Sequence, residues 1–317
     1  MNVKHLFVTT LVASLATFGC GGKDKEGGAS GGKSSADAKR AFGLFAKNTS
    51  IVGGVNVAQL AGSDLYKKFK PMIDSQMNNG EVQKLKDKCG IDIMSTVKSV
   101  ILGAEAGPDM EPKKESTMLV VKGIARGKAV ECGKKMDETA TVEEDGKFTK
   151  VTKDGETLWY GWLDDTTVVV APKMDKAALE ARMAGTDGMD TNAEMMAIVG
   201  NTDQTASMWF AVAPAGGIPA MPGSPISVPL KAAFGSIKAS GGVSVDVGAR
   251  TGSADDAGKA KGEIEAKVQE VKPMADMMGA GKFVDKLKLS TSGADVVAKI
   301  SLSGGDIDEL QKMAGAM

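Results

Sequence analysis

The chain has 317 residues, with 39 Lys and Arg against 40 Asp and Glu and a formal net charge of −1. Arginine occurs only at 40, 126, 182 and 250, and no basic stripe exists, which argues against a nucleic-acid partner. The single histidine is His5, so every later residue lacks histidine acid–base chemistry, histidine triads and the common zinc sets.

In chain order, Met1 to His5 is a charged stub, Leu6 to Phe18 is apolar, and Gly19-Cys20-Gly21-Gly22 follows. The apolar run is about 13 residues, too short for a bilayer span of roughly 20. It fits a secretory leader over 1–19, cleaved after Gly19. Two readings of Cys20 are open: a lipidated lipoprotein cysteine, or a cysteine that merely follows an ordinary leader. Thr17 and Phe18 depart from the usual lipoprotein pattern, but the Gly-rich stretch after Cys20 is typical of one. Lipidation at Cys20 is the expectation, making the protein exported and anchored to a membrane rather than spanning it. Gly21 is not the acidic residue that retains some lipoproteins at the inner membrane, which points to the outer one. Residues 20–40 form a Gly/Ser/Lys tether with too little apolar content to build a core. A flexible linker of about 20 residues reaches roughly 25 Å.

After Cys20 only Cys89 and Cys132 remain, and an isolated pair in an oxidising compartment is expected to be a disulfide, the alternative being two buried thiols. Ser50 to Leu60 is a predicted strand, and Ser63 caps a helix with Leu65, Phe69, Met72 and Ile73 on one face, which Pro71 kinks or ends. Val82, Leu85 and Cys89 mark a second helix, followed by strands at 95–106 and 118–125. A helix over 127–137 turns Cys132 inward. Strands at 147–153, 157–163 and 166–171 are joined by Asp154-Gly155 and Asp164-Asp165 turns. Helices follow at 174–184 and after Thr191-Asn192-Ala193-Glu194.

The second half reads as a shorter echo. It has a strand at 206–213, a Pro/Gly loop from Pro214 to Pro229 and a short helix near Leu230 to Phe234. Strands at 236–239 and 243–250 come next, then a long helix with Ala257, Ala260, Ile264, Val268 and Val271 on one face. Pro273 starts a new turn through Met278. Strands at 286–290 and 296–302 and a helix capped by Asp306 with Glu309 close the chain. The predicted class is α+β in two related halves, 41–200 and 201–317, each a largely antiparallel sheet with helices on one face.

Ser50-Ile51-Val52, Cys89-Gly90-Ile91-Asp92, Leu119-Val120-Val121-Lys122-Gly123, Cys132, Trp159-Tyr160 and Val168-Val169-Val170 carry a resemblance. Across residues 45 to 200 the chain resembles a group of uncharacterised bacterial cell-envelope lipoproteins. That family has no established activity, so the resemblance implies fold and location only.

No enzyme, cofactor or metal site is expected. Ser95 and Lys98 share Ser-x-x-Lys spacing with no partner motif, and Gly123 to Lys128 is one residue short of a phosphate loop. Asp187, Asp190, Asn192 and Glu194 are better read as helix capping than as a calcium loop. The expected role is a non-enzymatic envelope lipoprotein that binds a partner or supports envelope maintenance. The alternative is a carrier or chaperone for lipid or another apolar ligand, held between sheet and Met-rich helices. Its contact residues would be Ile218, Met221 and Ile226 from the Pro-rich loop with Met274, Met277 and Met278 from the long helix.

Overall fold

The computed structural model describes residues 32–77, 80–220, 224 and 226–315; Cys20 and Met221 lie outside them. Helix α1 (Ala36–Leu44) is capped by Ser35, whose hydroxyl accepts from the Ala38 amide. Strand β1 (Ile51–Val55) stops where Asn56 caps α2 (Val57–Gly62), so the strand expected to run to Leu60 is half its predicted length. Ser63 caps α3 (Asp64–Met77), which continues through Pro71. Helix α4 (Gly80–Cys89) ends at Gly90, whose φ of 61° favours glycine. Asp92 caps α5 (Ile93–Thr96).

Strands β2 (Ser99–Ala104) and β3 (Met118–Lys122) precede α6 (Arg126–Met136). Then come β4 (Thr141–Asp145), β5 (Phe148–Lys153), β6 (Glu156–Asp164) and β7 (Thr167–Val170). Asp154 and Gly155, both at positive φ, make the β5–β6 turn as expected. Asp175 caps α7 (Lys176–Met183), and Asn192 caps α8 (Ala193–Val199).

Strand β8 (Met208–Val212) leads through the Pro-rich loop to β9 (Ala232–Lys238) and β10 (Gly242–Arg250). The helix expected at Leu230 to Phe234 is the start of β9; pairing with a strand on each side overrides the local pattern. Ser253 caps α9 (Ala254–Met277), which runs unbroken through Pro273 instead of restarting there. Helix α10 (Gly281–Val284), β11 (Lys288–Ser292), β12 (Asp295–Ser303) and α11 (Gly304–Gly315) complete the chain. Ser303 and Asp306 cap α11 reciprocally: each side chain accepts from the other's amide.

The twelve strands among the described residues form a single antiparallel sheet, in the order β11-β12-β10-β9-β8-β1-β2-β3-β7-β6-β5-β4. The fold class is therefore α+β, but one continuous sheet, with β1 paired to β8, stands in place of the two expected. That pairing removes the two strand edges that separate sheets would expose. Helices also cover both faces rather than one. On the first face, Phe42, Leu179, Met195 and Ile198 from α1, α7 and α8 pack on Val52, Ile101, Val120, Val169, Trp209 and Phe234. Residues on both sides of the expected 200/201 boundary share this one core. On the second face, Ala260 and Ile264 of α9 pack on Val296 and Ala249, and α6 lies against β4 at the other end.

Cys89 and Cys132 are joined as expected, with Cα atoms 5.1 Å apart, and the bond staples α4 to α6. Closing a loop of 43 residues stabilises by about 4 kcal/mol on the chain-entropy model. Pairwise replacement of both cysteines by serine should lower Tm by about 10 °C. An unchanged melting curve would rule out a stabilising role for the staple.

Candidate functional site

The two faces of the sheet differ in how far they are covered. One first-face row runs Trp209, Gly54, Ile101, Val120, Val169, Gly161, Phe148, and all seven are buried. A Cβ on Gly54 would stand 2.4 Å from the Trp209 indole nitrogen, so only glycine lets that ring lie over β1. Phe42 meets the same ring edge-on, with centroids 5.9 Å apart.

On the second face the same strands present three apolar rows. The first is Ile300, Val245, Ile237, Met208, Val55, Val100, Val121, Val168, Trp162. The next is Ala298, Val247, Gly235, Phe210, Gly53, Leu102, Leu119, Val170, Tyr160. The third is Val296, Ala249, Ala233, Val212, Ile51, Ala104. Only Trp162, Val168, Gly235, Val296 and Ala104 are buried, and the rest are half-buried. The half-buried stretch is continuous from β12 to β3. At the β8–β1–β2 centre it holds Met208, Phe210, Val55, Val100 and Leu102. Gly53 and Gly235 in the middle row flank Phe210; a Cβ on Gly235 would touch its ring.

The helices on this side gather toward the second-half end. Helix α9 packs on β11 and β12, α11 on β12 and β10, and α3 on β10. Lys68 of α3 donates to the Gly304 carbonyl and pairs with Asp308, tying α3 to α11; Lys282 of α10 pairs with Glu309 of α11. Between these helices and α6 the middle strands keep their apolar rows half-open. Tyr160, at the far end of the middle row, has its phenol pushed up by burial.

The expected contact residues are divided by the structure. Ile226 packs with Val228 against Ala260, Ile264 and Val296, and Ser227 is held by the Glu263 carboxylate, so the loop seals one end of the second face. Ile218 is half-buried and bridges to Leu230. Met274, Met277 and Met278 are exposed at the far end of α9, ten or more residues beyond Ala260 and Ile264, at least roughly 15 Å along a helix. The loop and the methionines therefore do not line one pocket. The sequence reading missed the sheet face itself, although its signal was present: Met118-Leu119-Val120-Val121 and Val168-Val169-Val170 are apolar on both sides of their strands.

A polar cleft of about 150 Å³ lies at the second-half end of the first face, lined by Gly32, Lys33, Asn201, Asp203, Ser236, Lys238, Ser244 and Asp246. Its two carboxylates are paired within the protein: Asp203 with Lys238 at 2.7 Å and Asp246 with Lys299 at 2.8 Å. Burial pushes the Asp203 carboxyl up, but Lys238 and Thr205 outweigh it and hold the group below the usual carboxylate range. A lowered folded-state pKa gives stability that is present above the unfolded value near 4 and is lost as pH falls through the folded one. His5 is the only histidine in the sequence, and histidine is the side chain whose ordinary pKa lies near neutrality. The melting temperature should be flat between about pH 5.5 and 8 and fall below about pH 4. A transition centred near pH 6.5 would contradict this.

Among the described residues, no helix is long and apolar enough to cross a membrane. No protein-family model matches the chain, and no curated protein sequence does. A crystal structure titled "Structure of crystal form I of TP0453" is similar at a TM-score of 0.48 and 10% identity, covering 86% of this chain and 96% of that one.

Proposed function

We propose that this protein is a non-enzymatic, membrane-anchored envelope lipoprotein that carries a long-chain lipid or similar apolar ligand on the second face of its sheet. The observation that carries this reading is the continuous stretch of half-buried apolar side chains from β12 to β3. From β9 to β3 the opposite face is closed by α1, α7 and α8. Half-covering a row of Val, Leu, Ile and Phe forgoes about 25 cal/mol for each Å² left in water. A ligand with an acyl chain recovers that burial without needing a charged subsite. The Cys20 anchor keeps such a carrier beside its source of ligand.

We also read the body as two related halves meeting at β1 and β8. Outward from that seam, β1-β2-β3-β7-β6 matches β8-β9-β10-β12-β11 in order. A first-face helix precedes each half, α1 or α8, and α6 and α9 each follow the third strand. The first half adds β4 and β5 at its rim.

Native mass spectrometry on protein extracted gently from its own membranes tests the carrier role. The expected spectrum holds an adduct of lipid mass that disappears on denaturation. A single mass, equal to the chain from Cys20 plus acyl groups, would overturn the carrier reading and leave binding of a protein partner as the role.

A further inference from the structure

Building on that anchored-carrier reading, we propose that the end of the body carrying Met72, Met274, Met277 and Met278 docks on the lipid bilayer. Among the described residues these are the exposed large apolar side chains, at 57%, 54%, 83% and 57% exposure. Three fall within five positions of one helix end, just before Gly279 at φ 72°.

Topology brings all four to one end of the sheet. Helix α9 starts beside Arg250 and Asp295, where Thr251 donates to the Ala294 carbonyl. Its 24 residues span about 36 Å. Beyond it, Lys286 reaches Asp306, next to Ser303 at the opposite end of β12. Met274 to Met278 therefore lie toward the Ser303 end. Met72 sits one turn beyond Lys68, which bonds Gly304 at that same end.

The chain also enters the body there. Gly32 donates to the Gly200 carbonyl and borders the cleft with Lys238 and Ser244, and Ser244 pairs with Ser301. About a dozen residues separate Cys20 from Gly32, and at about 3.5 Å each they reach at most about 40 Å. A lipid on Cys20 therefore holds this end, rather than the Ala104 end, nearest the membrane. An apolar contact beside the anchor adds buried area and fixes which end of the body faces the bilayer. Unbranched methionine adapts to a disordered apolar phase.

Five lysines around the patch are paired within the protein: Lys68 with Asp308, Lys70 with Asp74, Lys272 with Asp285, Lys282 with Glu309 and Lys286 with Asp306. Contact is therefore largely apolar and should be only weakly salt-dependent.

Methionine oxidation by hydrogen peroxide, followed residue by residue by mass spectrometry, tests this. The lipidated chain in phosphatidylcholine vesicles is compared with the same mature chain carrying Cys20→Ser in buffer. Met274, Met277 and Met278 should oxidise about tenfold more slowly on vesicles, at low and high salt. Met110, in the loop beyond Ala104, should be unchanged. Met277→Glu should restore oxidation of Met274 and Met278. Equal rates on vesicles would overturn the docking surface. So would protection that appears in buffer and grows with protein concentration, which would assign the patch to a second copy. The intact mass decides the anchor separately: an unacylated chain would refute anchoring. The Cys20→Ser chain with added vesicles would then decide the patch on its own.

Discussion

Trp209→Ala should be among the most destabilising single substitutions in this protein, costing about 3–5 kcal/mol and lowering Tm by about 10 °C. The ring is 5% exposed and lies where β8 meets β1, roofing Gly54 and meeting Phe42 edge-on. Its loss leaves a cavity at the seam through which the two parts of the sheet are joined, and backbone pairing prevents the walls from collapsing. Thermal unfolding by circular dichroism measures it. A shift under about 2 °C would mean that the seam is not held by first-face packing.

Phe210→Glu, one residue on, should do the reverse. Phe210 points to the second face, half-buried over Gly235 between Met208 and Val212. A carboxylate there stays hydrated, so stability should fall by only about 1–2 kcal/mol. An acyl chain crossing the middle row would have to desolvate that charge, and ligand occupancy should drop at least about tenfold. Leu102→Glu, across Gly53 from Phe210, should behave the same way. Adduct occupancy in native mass spectra, read beside the melting curve, separates the two classes. Full occupancy in both glutamate variants would remove the second face as the ligand site.

Much of the strand and helix order was legible because alternation and capping are local signals. Ser63 and the Asp154-Gly155 turn do what short-range chemistry predicts, whereas α8 is capped by Asn192 and not by Thr191 of the expected capping box. Strand β4 was missed because Thr141 to Asp145 is largely exposed and acidic, with one half-buried apolar residue, Val142. The Leu230 to Phe234 stretch was misassigned because a short apolar run fits either period, and only its partners β8 and β10 decide. The union of two sheets into one rests on β1 meeting β8, a pairing of residues more than 150 positions apart that no local pattern records. The candidate site was hidden for a related reason. Each strand's second-face residues read as ordinary core, and only the uneven spread of helices over the two faces leaves them half-open.

The β1–β8 seam also sets a timetable. Ile51 pairs with Val212 and Val55 with Met208, so the central rung of the sheet closes only after about two thirds of the chain exists. About 150 residues must follow β1 before its partner strand is available to pair with it. Pairings this distant in sequence fold slowly, and an unpaired edge in the meantime is a template for aggregation. The two glycines of β1, Gly53 and Gly54, make that waiting edge a weak β-former in isolation. The strand that holds the sheet together is thus poorly suited to recruit another chain before β8 arrives.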